Sequence, residues 1–207
     1  MNADAAIVLM LAAAVAVVDW WAVAVGRRSV EYGAKPLTLT LLIGAAVVID
    51  PADRTQQVWF LVALGFSLAG DIALMLPRDR FVAGLSAFLL AHVAYSGGMA
   101  ARGVEPLGLA VGLALVVLAV TAIGRRIVVG APPNLRGPVS AYVLVISVML
   151  AVAVGTAEPW IIAGALLFYA SDGLIGWTRF VADFRHGRLA VMVTYHLGQA
   201  GLVLGLL

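Results

Sequence analysis

Long apolar runs, interrupted every 20 to 30 residues by short stretches with proline, glycine and charge, recur along the chain. A membrane-spanning helix needs about 20 mostly apolar residues, and runs of that kind predict eight spans. They cover residues 5–25, 35–50, 57–77, 81–101, 106–124, 138–155, 159–177 and 188–206. The second is the shortest in apolar content, strong only over residues 37–49. Pro51, Pro77, Pro106, the 131–134 turn and Pro159 punctuate the connections. Connections this short put successive helices antiparallel and side by side. The expected fold is therefore all-α, a polytopic membrane helical bundle of about eight transmembrane helices, with residues 1–207 as a single integral membrane domain. The first run has no basic segment before it, and Arg27 and Arg28 follow it, so it is read as a retained span rather than a signal peptide.

Composition agrees: 63% of the 207 residues are hydrophobic and only 12% are charged, against about 25% charged in an ordinary soluble domain. The absence of cysteine excludes disulfides, thiolate metal sites and a cysteine nucleophile. Loop charge sets the orientation, because Lys and Arg concentrate on the cytoplasmic side. Arg27, Arg28, Lys35, Arg78, Arg80, Arg125, Arg126, Arg136, Arg179, Arg185 and Arg188 fall in alternate connections, eleven of the thirteen basic residues, and only Arg54 and Arg102 lie opposite. Both termini are accordingly placed outside the cell (inner) membrane.

This orientation turns position into depth at 1.5 Å per residue. Asp19, Asp71 and Asp172 sit in the last turns of inward-running helices. Lys35, Tyr142, Tyr195, His92, Tyr95 and Gln199 lie up to about four turns inside outward-running ones. The polar residues converge on the inner half of the bilayer, and a site there opens to the cytoplasmic side. Repeated offsets suggest an internal duplication: Asp71 to Asp172 is 101 residues, Arg80 to Arg179 is 99, Tyr95 to Tyr195 is 100 and Lys35 to Gly137 is 102. Four helices separate the equivalents, the signature of a 4+4 parallel repeat, although Met192 stands where His92 would have its match.

A carboxylate near a bilayer centre costs roughly 3 kcal/mol on insertion scales and marks function unless it is a paired structural group. Asp71, flanked by small residues that permit close helix packing, and Asp172 are the leading candidates. Ser171 lacks the elbow of a serine hydrolase and reads as support for Asp172. His92 and Tyr95 share a helix face, either as satisfied core or as part of a polar stripe. No ligand spacing supports a metal site. Lys35, Arg80 and Arg179 suit phosphate head groups or plain topology. Asp19-Trp20-Trp21 reads mainly as an interfacial anchor, and Asp50, Asp53, Asp79, Glu105 and Glu158 as solvated loop charges. No glycine-rich phosphate loop or dinucleotide fingerprint occurs, and no nucleic-acid partner is implied.

The ordered motifs resemble the YhhN family, which includes the transmembrane lysoplasmalogenases. They are KPLT from Lys35, GDIALML from Gly70, F-x-x-G-L-x-x-F from Phe81, H-x-x-Y from His92, SD followed six residues later by RF from Ser171, and T-Y-x-x-x-Q from Thr194. His196 departs from the aromatic residue expected after Tyr195. The resemblance implies hydrolysis of the alkenyl ether bond of a membrane lysophospholipid, without a cofactor. On this reading Asp71 and Asp172 are the catalytic carboxylates. His92, Tyr95, Tyr142, Ser171, Tyr195 and Gln199 support them, and Lys35, Arg80 and Arg179 hold the head group. The alternative is a small lipid or solute transporter or binding protein that uses the same aspartates.

Overall fold

The computed structural model describes residues 1–76 and 80–207; Pro77, Arg78 and Asp79, assigned above to the third connection, lie outside the described residues. The described residues form a bundle of helices: α1 Ala3–Ala24, α2 Arg28–Val48, α3 Arg54–Met75, α4 Phe81–Arg102, α5 Pro106–Gly130, α6 Arg136–Gly155, α7 Pro159–Phe180 and α8 Gly187–Leu204. Six of these are long and apolar enough to cross a membrane: α1, α3, α4, α5, α6 and α7. The chain is a multi-pass membrane protein. The two helices outside that group, α2 and α8, carry Glu31 and Lys35, and Tyr195, His196 and Gln199, and polar residues of this kind lower the mean hydropathy of a segment.

Helix α2 departs most from expectation. It begins at Arg28 rather than at Lys35 and runs straight through Pro36. Lys35 is thus about two turns inside the helix and 5% exposed, not at its mouth. Helix α5 is also longer than expected, continuing past Arg125 and Arg126 to Gly130 through a π-helical segment at Val120–Gly124. A π turn disturbs the i→i−4 ladder. Thr121 compensates, its hydroxyl donating to the carbonyls of Val117 (2.8 Å) and Leu118 (3.0 Å). Two residues expected to be merely solvated charges cap helices: Asp53 accepts from the Gln56 amide at 2.7 Å, and Glu158 from those of Trp160 and Ile161. Each satisfies amides that the first helical turn leaves without partners.

Neighbours in sequence pack as hairpins, α1 on α2, α3 on α4, α5 on α6 and α7 on α8. Contacts between the first and second four helices run from α4 to α6 and from α8 to both α1 and α2. The α4–α6 and α8–α2 contacts are counterparts under a four-helix shift. The α7–α8 contact is backbone-close, because Gly164 and Gly198 face one another: a Cβ on Gly198 would lie 2.8 Å from the Phe168 nitrogen. Small residues permit this approach in membranes, where packing replaces hydrophobic driving force. Around Asp71 the close approach falls at Gly70, against the Phe88 ring, while Gly65 has open space beside it.

Candidate active site

Fully or nearly buried polar side chains gather in the half of the bundle where α2, α4, α6 and α8 begin, forming two networks. In the first, Lys35 Nζ from α2 meets Asp71 Oδ1 from α3 at 2.9 Å, and Tyr195 from α8 donates to Asp71 Oδ2 at 2.7 Å. Behind it, Tyr95 donates to Gln199 Oε1 at 2.5 Å, and Gln199 Nε2 lies 3.4 Å from the Tyr195 hydroxyl. The chain Tyr95–Gln199–Tyr195–Asp71–Lys35 thus spans four helices, α4, α8, α3 and α2. A buried carboxylate tolerates such a place only with its charge matched and its lone pairs occupied, and here both oxygens are held.

The second network centres on Asp172 of α7. Its Oδ2 accepts from the Tyr142 hydroxyl of α6 and lies 3.0 Å from His92 Nε2 of α4. His92 Nε2 is also 2.9 Å from the Tyr142 hydroxyl. With Tyr142 donating to the carboxylate, the neutral His92 tautomer that fits carries its proton on Nε2 and directs it at Oδ2, an assignment made from the bonding pattern. Asp172 Oδ1 has no hydrogen bond among the described residues. Each aspartate therefore takes one partner from its own four-helix half and one from the other: Lys35 and Tyr195 for Asp71, Tyr142 and His92 for Asp172.

An aromatic layer separates the networks. The buried Phe168 ring stands edge-on to His92 (centroids 4.8 Å), Tyr195 (5.4 Å), Phe88 (6.2 Å) and Tyr95 (6.4 Å). Edge-to-face contacts of this kind fix ring orientation as well as bury area, so Phe168 holds both tyrosine and histidine side chains in place. The two aspartates share no hydrogen bond among the described residues.

Two cavities adjoin these networks. One, of about 340 Å³, is lined by apolar side chains of α3 to α7, with Asp172 and Tyr142 supplying polar groups in its wall. The other, of about 470 Å³, is a polar vestibule edged by Arg28, Glu31, Lys35, Arg179 and Arg188. Leu74, Phe81 and Ile175 line both. Ile175 lies one helical turn from Asp172, so the carboxylate stands just beyond the shared wall on the apolar side.

Of the residues singled out in the sequence, Lys35, Asp71, His92, Tyr95, Tyr142, Asp172, Tyr195 and Gln199 are brought together. Ser171 is fully buried and donates to the Val191 carbonyl at 3.1 Å, joining α7 to α8. Arg179 edges the vestibule with its guanidinium 3.9 Å over the Phe81 ring, a cation–π geometry. Arg80 is exposed just before α4 and is not among the described residues lining either cavity. Glu31 and Arg188 were not singled out as site residues, yet they pair at the vestibule edge, Arg188 Nη2 donating to Glu31 Oε1 at 2.7 Å and to Oε2 at 2.8 Å. The signal was available, since Arg28, Glu31 and Lys35 follow the i, i+3, i+7 spacing of one helix face. Asp19, read mainly as an interfacial anchor, is fully buried, and neither of its oxygens has a hydrogen bond among the described residues. Trp20, which follows Asp19 in the chain, donates its indole N–H to His196 Nδ1 at 3.1 Å. Among the described residues no group of three or more His, Asp or Glu is arranged to hold a metal ion.

The sequence profile of the YhhN family matches residues 30–206, nearly the whole chain and every member of both networks. This chain belongs to the YhhN family. It is 34% identical over 175 residues to the human protein named Lysoplasmalogenase TMEM86B, covering 84% of this chain and 74% of that one. It is also 34% identical over 178 residues to a protein of Mycobacterium tuberculosis named Lysoplasmalogenase, covering 81% and 66% respectively. A Sus scrofa protein, also named Lysoplasmalogenase TMEM86B, is 36% identical over 139 residues, 66% of this chain and 58% of that one. The chain thus spans about three quarters of the human relative and less than two thirds of the other two. No solved structure matches it at a comparable level of similarity.

Proposed function

We propose that this YhhN-family protein is a membrane-embedded hydrolase of the vinyl ether bond of single-chain phospholipids, a lysoplasmalogenase, which releases a fatty aldehyde and a glycerophospho head group. The observation that carries this reading is the position of Asp172, braced by His92 and Tyr142, in the wall of an otherwise apolar cavity that abuts a basic vestibule. The relatives' names point to the same chemistry.

A single-chain phospholipid has matching parts in the same order. Its phosphate lies in the vestibule against Lys35, Arg28 and Arg188, and its hydrocarbon chain lies in the apolar cavity. The ether bond between them then falls just past the wall of Leu74, Phe81 and Ile175, beside Asp172. Cleavage begins with proton transfer to the outer alkene carbon, which converts the ether oxygen and its neighbouring carbon into an oxocarbenium ion. Asp172 is the carboxyl placed for that transfer, entering the cycle protonated on Oδ1 while Oδ2 accepts from Tyr142 and His92. Water then adds to the cationic carbon and returns a proton to Asp172, and the hemiacetal collapses to aldehyde and alcohol, so the enzyme ends as it began. Tyr142 and His92 keep Oδ2 in place, and Oδ1 is left for substrate or water. Asp71, paired with Lys35 at 2.9 Å, holds that lysine at the vestibule edge, where its ammonium meets the phosphate.

We place the protein in the cell (inner) membrane with both termini outside and the vestibule facing the cytoplasm, as the loop arginines indicate. Single cysteines introduced into this cysteine-free chain test that orientation, those in the α1–α2 connection reacting only from the cytoplasmic side.

The function is tested by supplying purified protein with alkenyl, alkyl and acyl lysophospholipids and measuring aldehyde. Release from the alkenyl lipid alone, abolished in Asp172→Asn, is the expected result. No aldehyde from any of them, combined with proton-coupled uptake of a solute into vesicles, would transfer the site to the transporter reading.

A further inference from the structure

Three glycines line the apolar cavity: Gly124, Gly173 and Gly176. Two are there for packing. A Cβ on Gly176 would meet Ile127 at 2.9 Å, and one on Gly124 would meet Val143 at 3.3 Å. Gly173 is different, because a Cβ built there meets nothing within 4 Å. The missing side chain is not required by any neighbour, although Gly173 lies inside α7, where alanine is the better helix former. What its absence leaves is open cavity directly beside Asp172.

The cavity also has a side toward lipid. Its walls include Phe81, Leu85 and Phe88 of α4 and Ala119, Ile123, Gly124 and Ile127 of α5. These two helices make little contact with each other: α4 packs on α3 and α6, and α5 packs mainly on α6. The π-helical segment of α5 falls on this wall, at Val120–Gly124. A hydrocarbon chain lying in the bilayer therefore has an apolar way in between α4 and α5, and it ends at Asp172 with Gly173 at its side.

We infer that Gly173 is the position that admits the hydrocarbon chain to the site. Its bare backbone provides the room in which the first carbons of one hydrocarbon chain lie beside Asp172, and bulk at 173 excludes the lipid chain without disturbing the carboxylate. This inference rests on the proposed function for the identity of the ligand, a single-chain ether phospholipid. Its geometry rests on the cavity alone.

Gly65 supplies the matching control. It too is a helical glycine with nothing within 4 Å of a built Cβ, but it lies exposed on α3 and outside the cavity lining. The same substitution at both positions therefore makes the same change to helix preference and differs only in whether the new side chain enters the cavity.

The experiment compares wild type, Gly173→Ala, Gly173→Leu and Gly65→Leu in two assays. The first reads thermal stabilisation by a non-hydrolysable alkyl ether lysophospholipid, which requires binding and no chemistry. The second reads kcat and KM for aldehyde release from the alkenyl lipid. Expected are ligand stabilisation in wild type and Gly65→Leu, a smaller shift in Gly173→Ala, and none in Gly173→Leu. In the second assay Gly173→Leu raises KM at least tenfold. Undiminished ligand stabilisation in a folded Gly173→Leu protein would overturn the inference, whatever the state of the chemistry. Should the leucine variant not fold, Gly173→Ala decides: binding equal to wild type counts against the proposal, and weakened binding supports it. Lipid binding that depends on residue 173 without aldehyde from the wild type would instead sink the proposed reaction and leave the chain site standing. A wild type that neither binds the alkyl lipid nor releases aldehyde overturns both.

Discussion

The two aspartates at residues 71 and 172 occupy comparable places in the two halves of the bundle, yet their surroundings differ in a way that suits them to different tasks in the proposed reaction. Asp71 is 1% exposed, bonded to a lysine and a tyrosine, and backed by a further tyrosine and glutamine. Its side chain lines neither cavity. Asp172 is 7% exposed in its side chain, its partners among the described residues are a histidine and a tyrosine, and it borders the apolar cavity. A carboxylate tied to a cation on one side and a hydroxyl on the other is held fast. One bonded through a single oxygen is available. The difference teaches that burial and pairing alone do not distinguish the two carboxyls; access to a cavity does, and the proposed reaction uses the one that has it.

This division is open to direct test. The largest effect is expected at the available carboxyl: Asp172→Asn should lower kcat for aldehyde release by about 10²–10⁴-fold, the usual worth of a positioned acid–base group. The same variant should stay folded, because the asparagine carbonyl still accepts from Tyr142. Equal losses of activity and thermal stability would erase the contrast. Lys35→Met should act in the opposite sense, costing about 3–5 kcal/mol of stability, since it leaves a buried carboxylate without its cation. Thermal unfolding should then recover in the double variant Lys35→Met/Asp71→Asn, and failure to recover would mean that the lysine stabilises through something other than this pair.

The tyrosines provide the finest comparison. Tyr142→Phe removes one of the two groups on Asp172 Oδ2 and should cost about 1.5–3 kcal/mol, seen as a fall of roughly tenfold to a hundredfold in kcat. Tyr195→Phe should lower stability by about 1 kcal/mol, measured as a small drop in melting temperature with a lesser change in kcat. A reversal of this order would exchange the roles of the two networks.

Much of this molecule was legible before any coordinates. The spans, their antiparallel order and the gathering of polar residues toward one end follow from apolar run length and loop charge, both of which act locally. The family motifs singled out His92, Tyr95, Tyr195 and Gln199 together with the aspartates, and the depth set by loop charge added Tyr142. Other features were hidden. The start of α2 was misplaced because Pro36 and three charged residues look like a boundary, whereas in the bundle Lys35 pairs with buried Asp71 of α3 and Glu31 with Arg188 of α8. Asp19 resembled an interfacial anchor because Trp20 and Trp21 follow it, and only packing against the neighbouring helices makes it fully buried.

Hydropathy and charge along a chain report the transfer of each segment between water and lipid, so the sequence was sufficient for a membrane bundle and for the expectation that its polar groups share one level. Depth does not specify which way a side chain points around its helix axis, nor what stands opposite. That depends on how eight helices dock. Docking joined Lys35 and Tyr195 to Asp71, joined His92 and Tyr142 to Asp172, inserted Phe168 between them, and left open space at Gly173 on one side of a single aspartate.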